Sequence, residues 1–189
     1  MKGIEERLMR FARRKLSEKR LEHVEGVVRT IDELAGSAKL SRPACRSIAW
    51  LHDCAKEEPR ETFLELVRSK EIALDAETME APQLWHGFHA AYWGRTRFGI
   101  EREELLEAVK FHPTGAPQLS LEGVALFVAD YVEPGRPIEG AREIRELARD
   151  DLLKAALRVA EEKIAYVEKK GRKPHSRSLA FRDWLAAQS

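Results

Sequence analysis

Four polar side chains fall where this sequence calls for apolar ones. His23 sits among Leu21, Val24 and Ile31; His52 is four after Ile48. His112 is three after Val109, and Asp130 is three after Phe127 and four after Leu126. Residues three and four apart share a helix face, so each of these groups is predicted on a face its helix buries. Burying a neutral polar group without a partner costs about 2–7 kcal/mol, and a charge more. Any one of them alone reads as a core residue bonded to an ordinary neighbour, the usual state of buried polar groups. Several helices each presenting one are better satisfied together, by converging on metal. Imidazole and carboxylate are ligands for zinc, iron, manganese and nickel.

The most informative pair is His52-Asp53, within Trp50-Leu51-His52-Asp53-Cys54-Ala55-Lys56. Adjacent helical residues point about 100° apart, so one metal can take a bond from each. Asp53 has a second oxygen and could bridge to a second metal. Lys56 is four after His52 and three after Asp53, on the same face. A cation beside a metal suits an anionic substrate such as phosphate. A His-Asp dipeptide alone is common; its weight here comes from the other three residues.

These side chains must be positioned by helices. The 189 residues carry 33 Lys+Arg against 32 Asp+Glu, a net charge of +1, with 43% hydrophobic residues. That composition is too apolar for a disordered chain and too polar for a membrane protein, and the charge balance argues against nucleic acid or a membrane surface as partner. The longest clean apolar run, Val124 to Ala129, is far below the roughly 20 residues of a membrane span. Glu5, Glu6, Arg7 and Arg10 interrupt any leader-like apolar stretch, and the two cysteines, Cys45 and Cys54, form no CxxC pair. Both features fit a reducing, cytoplasmic setting. Helical spacing runs through Ile4–Leu16, Leu21–Leu34, Ser41–Leu51, Pro59–Val67, Pro82–Phe98, Glu101–His112, Leu121–Val132, Glu139–Ala148 and Asp151–Lys169, followed by a short tail with Leu179, Trp184 and Leu185. No alternating strand stands out, although Val124–Val128 is short enough for a buried one. The expectation is a single all-α domain over 1–189, a helical bundle with a buried metal site.

The motifs resemble the HD-domain metal phosphohydrolases, and within them the YqeK-type symmetrical diadenosine tetraphosphate hydrolases. The pieces, in order, are Arg20 to Val27, Leu51 to Glu57, Leu84-Trp85-His86-Gly87, His112-Pro113-Thr114-Gly115, and Ala129-Asp130-Tyr131-Val132-Glu133-Pro134-Gly135-Arg136. The resemblance implies two metal ions, often iron, with His23, His52, Asp53 and Asp130 on one and Asp53, His86 and His112 on the other. All of these would lie on helices. It implies hydrolysis of diadenosine tetraphosphate to two ADP. Pro113 stands where the family usually has threonine, and Trp85 with Gly87-Phe88 makes the surroundings of His86 bulky.

In that frame Asp53 and Lys56 are the catalytic candidates, and Lys56, Arg136 and Thr114 the phosphate contacts. Metal would lower the pKa of water from 15.7 to about 7. His89 reads as a pocket-lining group or a surface histidine, and His175 as solvent-exposed. Trp50, Trp85, Phe88, Trp93, Phe111 and Tyr131 read mainly as core, with adenine stacking open to one of them. Cys54 reads as a packed residue. The clusters Arg10–Arg20 and Lys169–Arg177 read as solvated helix faces, against an RNA-binding alternative. Other HD-type activities, such as a nucleotidase or a guanosine tetraphosphate hydrolase, and a non-catalytic nucleotide- or RNA-binding module remain open, as does a homodimer. No second nucleotide pocket is expected in a chain this short.

Overall fold

The computed structural model describes residues 2–188, and no strand occurs among them. At the centre lies the helix Leu121–Val132, here α8, in which every residue from Gly123 to Asp130 is buried. A helix that is apolar all round is stable only when surrounded. It packs on α2 (Glu18–Ser37), α3 (Arg42–Leu51), α7 (Glu103–Phe111), α9 (Ala141–Asp150) and α10 (Leu152–Lys169). This enclosure makes the apolar run Val124–Ala129 helix rather than strand. Ser120 starts it, its hydroxyl accepting from Gly123 N at 3.2 Å. The outer helices α1 (Lys2–Lys15), α6 (Trp85–Thr96) and α11 (Ser176–Ala186) join the same core, which runs continuously from Leu8 to Leu185.

A second, smaller core of Phe63, Ile72, Trp85 and Phe88 lies beneath α4 (Arg60–Arg68) and α5 (Ala76–Met79). The sequence did not signal α5. It is a single turn capped by Asp75, whose carboxylate accepts from Thr78 N at 2.7 Å. The helix expected from Pro82 begins as a 3-10 turn, Pro82–Leu84, and becomes α-helical only at Trp85. Trp85 also fixes this region, its indole donating to Thr78 O at 3.0 Å. Among the described residues no helix is long and apolar enough to cross a membrane.

His52 and His112 do not lie inside helices, as the spacing predicts, but at the C-caps of α3 and α7. Past His52 the chain continues in tight turns, with Cys54 N on Leu51 O at 3.0 Å and Lys56 N on Asp53 O at 2.9 Å. This turn is tied to the α1–α2 junction. Ser17 donates its N–H and hydroxyl to Glu57 at 2.9 and 2.5 Å, and Lys15 pairs with Glu58.

Candidate metal centre

Ending a helix leaves backbone carbonyls without partners, and both cap histidines use that. His52 Nδ1 donates to Ala49 O, and His112 Nδ1 to Val109 O, each at 2.7 Å. A carbonyl can only accept, so the proton sits on Nδ1 and each Nε2 presents a lone pair to the interior. Burial pushes the His52 pKa down to about 4 and lowers that of His112, so both rings are neutral at pH 7. His52 Nε2 is buried with no hydrogen-bond partner among the described residues. Its neighbours are Asp130 Oδ1 at 3.8 Å and Asp53 Oδ2 at 4.0 Å, both acceptors too.

Asp53 stands between two sets of groups. Its Oδ2 accepts from Arg20 Nη1 at 2.8 Å and lies 3.9 Å from His23 Nε2. Its Oδ1 lies 3.2 Å from His86 Nε2, 3.7 Å from His112 Nε2 and 3.9 Å from Lys56 Nζ, none aligned as a hydrogen bond. Burial alone would raise the Asp53 pKa, but His52, His112 and His86 hold it well below the carboxylate range. Asp130 Oδ1 lies 3.1 Å from His23 Nε2 and accepts from Arg136 Nη2 at 2.9 Å. Burial opposes its ionisation as well; His23 and Arg136 outweigh it. Burial likewise pulls the His23 pKa down, but Asp130 raises it more. His86 Nε2 meets His112 Nε2 at 3.2 Å, and Lys56 Nζ lies 3.0 and 3.2 Å from the two ring nitrogens of His86.

Two groups have donor atoms all within 4.8 Å of one another: His23, His52 and Asp130, and His52, Asp53 and His112. The neutral imidazoles of His52 and His112 turn lone pairs on the ionised carboxylates of Asp53 and Asp130, an arrangement that suits divalent cations, and the unpaired His52 Nε2 and Asp53 Oδ1 point the same way. Both groups could hold metal.

Lys56 and Arg136 therefore stand at the cluster, as the sequence suggests. Thr114 is buried, and its hydroxyl donates to Gly115 O at 2.9 Å, so in this rotamer it offers a phosphate no proton. It lines a cavity of about 660 Å³ together with Lys163, Arg172 and His175. His89 is buried, not a surface group, and lines a smaller cavity of about 310 Å³ beside His86 and Lys56. His175 is not solvent-exposed: its side chain is 9% accessible, accepts from Arg177 N at 3.1 Å and lies 3.2 Å from the Thr78 hydroxyl. The start of α11 needs a cap, and the imidazole supplies it. Trp85 is stacked on Phe63 at 5.0 Å, while Trp50 and Trp93 are buried.

Three residues of this neighbourhood escaped the sequence reading. Arg20 holds Asp53. Glu133 Oε1 accepts from His23 Nδ1 at 3.2 Å, and its Oε2 from Gly135 N at 2.6 Å. Lys163, from α10, places its ammonium 4.3 Å from the Phe127 ring centroid, one turn from Asp130, and burial pushes its pKa down to about 8.

The HD domain family matches residues 20–135, the stretch that carries all six clustered histidines and aspartates. The "Bis(5'-nucleosyl)-tetraphosphatase, symmetrical" of Bacillus subtilis is 29% identical over 185 residues, which cover 97% of this chain and 98% of the relative. The Halalkalibacterium halodurans protein of the same name is 33% identical over 165 residues, covering 87% and 88%. A crystal structure from Clostridium acetobutylicum, described as a predicted HD superfamily hydrolase involved in NAD metabolism, superposes with a TM-score of 0.90 at 33% identity, covering 97% of each chain. The chain belongs to the HD domain family, in the branch of the symmetrical bis(5'-nucleosyl)-tetraphosphatases.

Proposed function

We propose that this protein, working as one unit over residues 1–189, hydrolyses diadenosine tetraphosphate at the middle of its phosphate chain to give two ADP. The site would hold two metal ions, iron by the family resemblance: one on His23, His52, Asp53 and Asp130, the other on Asp53, His86 and His112. The observation that carries this reading is the division of Asp53, whose Oδ2 faces His23 and His52 while Oδ1 faces His86 and His112. Bound metal would supply Lewis acidity to a phosphoryl oxygen and make water nucleophilic near neutral pH.

The side chains divide the remaining work. The Nδ1 bonds of His52 and His112 to backbone carbonyls fix tautomer and ring orientation, and Glu133 does the same for His23. Lys56 and Arg136, both partly exposed at the edge of the buried cluster, neutralise phosphate oxygens as charge moves onto the departing group. Arg136, with its planar fork, suits two oxygens at once. Thr114 shapes the wall next to Lys163. In the reaction, one water oxygen bonds to a central phosphorus, the bridging oxygen leaves with the other ADP, and a proton is released. Both cysteines are free and buried, and we place the protein in the cytoplasm.

Metal analysis combined with product chromatography tests this. The expected result is bound transition metal and ADP as the only nucleotide product. Equal amounts of AMP and ATP would refute central cleavage, and tight binding without turnover would refute the enzyme.

A further inference from the structure

A cavity of about 680 Å³ opens beside the cluster, between the start of α2 and the turn after α8. Cations line it: Lys19, Arg20 and Arg29 from α2, and Arg136 from the turn, and Pro137 is its one large apolar residue. Three carboxylates share the wall with these four cations: Glu57, held by Ser17, Glu133, held by His23 and Gly135, and Glu22. Arg20 and Arg136 straddle the boundary, each giving one nitrogen to an aspartate of the cluster, at 2.8 and 2.9 Å. Arg20 Nε is buried with no partner, and Lys19 and Arg29 make no ion pair among the described residues. The cavity behind Thr114 and Lys163 also holds cations, Lys163, Arg172 and Lys173, but adds an apolar wall of Leu84, Pro113, Ile164, Val167 and Pro174. Apolar walls with a few polar groups suit a nucleoside; a cationic channel suits phosphates.

We propose that the cationic cavity is a second subsite, which takes the departing polyphosphate arm of the substrate by its phosphates, through Arg20, Arg136, Lys19 and Arg29, and leaves the nucleoside on that arm unread. The proposal rests on the central cleavage argued above. It adds to the expectation of one compact site: the second half of the substrate has a place, but no base pocket. Adenosine 5'-tetraphosphate, which carries the same arm without its nucleoside, is then a substrate. A water oxygen bonds to one of the two central phosphorus atoms, the bond from that phosphorus to the bridging oxygen breaks, and ADP, pyrophosphate and a proton result.

Two measurements on the metal-loaded protein decide it. First, kcat/KM for adenosine 5'-tetraphosphate is expected within about tenfold of that for diadenosine tetraphosphate; a larger deficit means the second nucleoside is read and overturns the proposal. Second, the double variant Lys19→Ala/Arg29→Ala is expected to weaken pyrophosphate binding, read by calorimetry, and kcat/KM for both substrates by about tenfold or more. Lys169→Ala/Lys170→Ala, at the far end of α10, serves as the control and should change neither. Unchanged pyrophosphate affinity in the Lys19/Arg29 variant overturns the subsite whatever the substrate proves to be. If diadenosine tetraphosphate is not cleaved but that affinity still falls, central cleavage fails and the subsite stands.

Discussion

Gly26→Ala offers a test of how the site is supported from outside its ligands. Gly26 lies one turn after His23, and a Cβ there would sit 3.1 Å from Glu133 Cδ and closer still to its Oε2. The carboxylate is the flexible end of a side chain, so it would swing away and give up its bonds to His23 Nδ1 and Gly135 N. Hydrogen bonds to charged groups contribute about 1.5–3 kcal/mol each. Alanine in a helix interior returns about 1 kcal/mol relative to glycine. The low-end values leave a net loss of about 2 kcal/mol, a fall of about 4–8 °C in Tm for a chain of this size. The effect on metal should be larger in proportion: losing the partner that orients a ligating histidine costs about 10–100-fold in affinity. Thermal unfolding of the metal-free protein reads the first quantity and metal titration the second. Glu133→Ala closes a double-mutant cycle. With Glu133 already absent, Gly26→Ala should add no further loss of metal affinity, because both changes remove one interaction. Wild-type metal affinity in Gly26→Ala, or additive losses in the double variant, would refute this role for Glu133.

Further outcomes follow from the same geometry. Asp53→Ala should remove most bound metal and nearly all turnover, read by elemental analysis and ADP release; full occupancy would sink the bridging assignment. Lys56→Ala should keep the metal and lower kcat/KM by about 10–1,000-fold; loss of metal would make its role structural. His175→Ala should leave metal content unchanged but cost about 1 kcal/mol in urea unfolding, the scale of a helix cap. Asp75 contributes to acid resistance. The Thr78 N–H holds its carboxyl down at about 2, below its ordinary value of 3.8, so its contribution is complete above that value and is lost as pH falls toward 2. The Tm difference between wild type and Asp75→Asn should therefore shrink between pH 5 and pH 2; a constant difference would remove the cap from the account.

The sequence exposed His23, His52, His112 and Asp130 because imidazole and carboxylate on apolar faces break the helical pattern, while His86 came only with the family resemblance. The same three-residue spacing reaches Arg20 before His23 and Glu133 after Asp130, so both were readable in motifs already noticed. Lys163 was not: it follows an amphipathic pattern in α10, and only the packing of that helix on α8 brings it near Asp130. The positions of His52 and His112 at helix ends were hidden because a C-cap histidine keeps helical backbone angles and helical spacing. Helix α5 was hidden for a different reason. A single capped turn has too few residues to show a period, and its stability comes from Trp85 and Asp75 rather than from its own sequence. The cationic cavity is a void between elements, and no residue pattern records a void.

The small core of Phe63, Ile72, Trp85 and Phe88 stands apart from the main one. Fewer buried contacts mean a lower free energy of local opening, so backbone amides of 60–84 should exchange with solvent well before those of α8. Trp85 anchors that region, and the next residue is His86. His86 therefore sits where α6 leaves that weaker segment, whereas His52 and His112 are bonded to the ends of α3 and α7. If the cluster holds two metals as proposed, the one leaning on His86 should exchange faster than the one held by His23, His52 and Asp130.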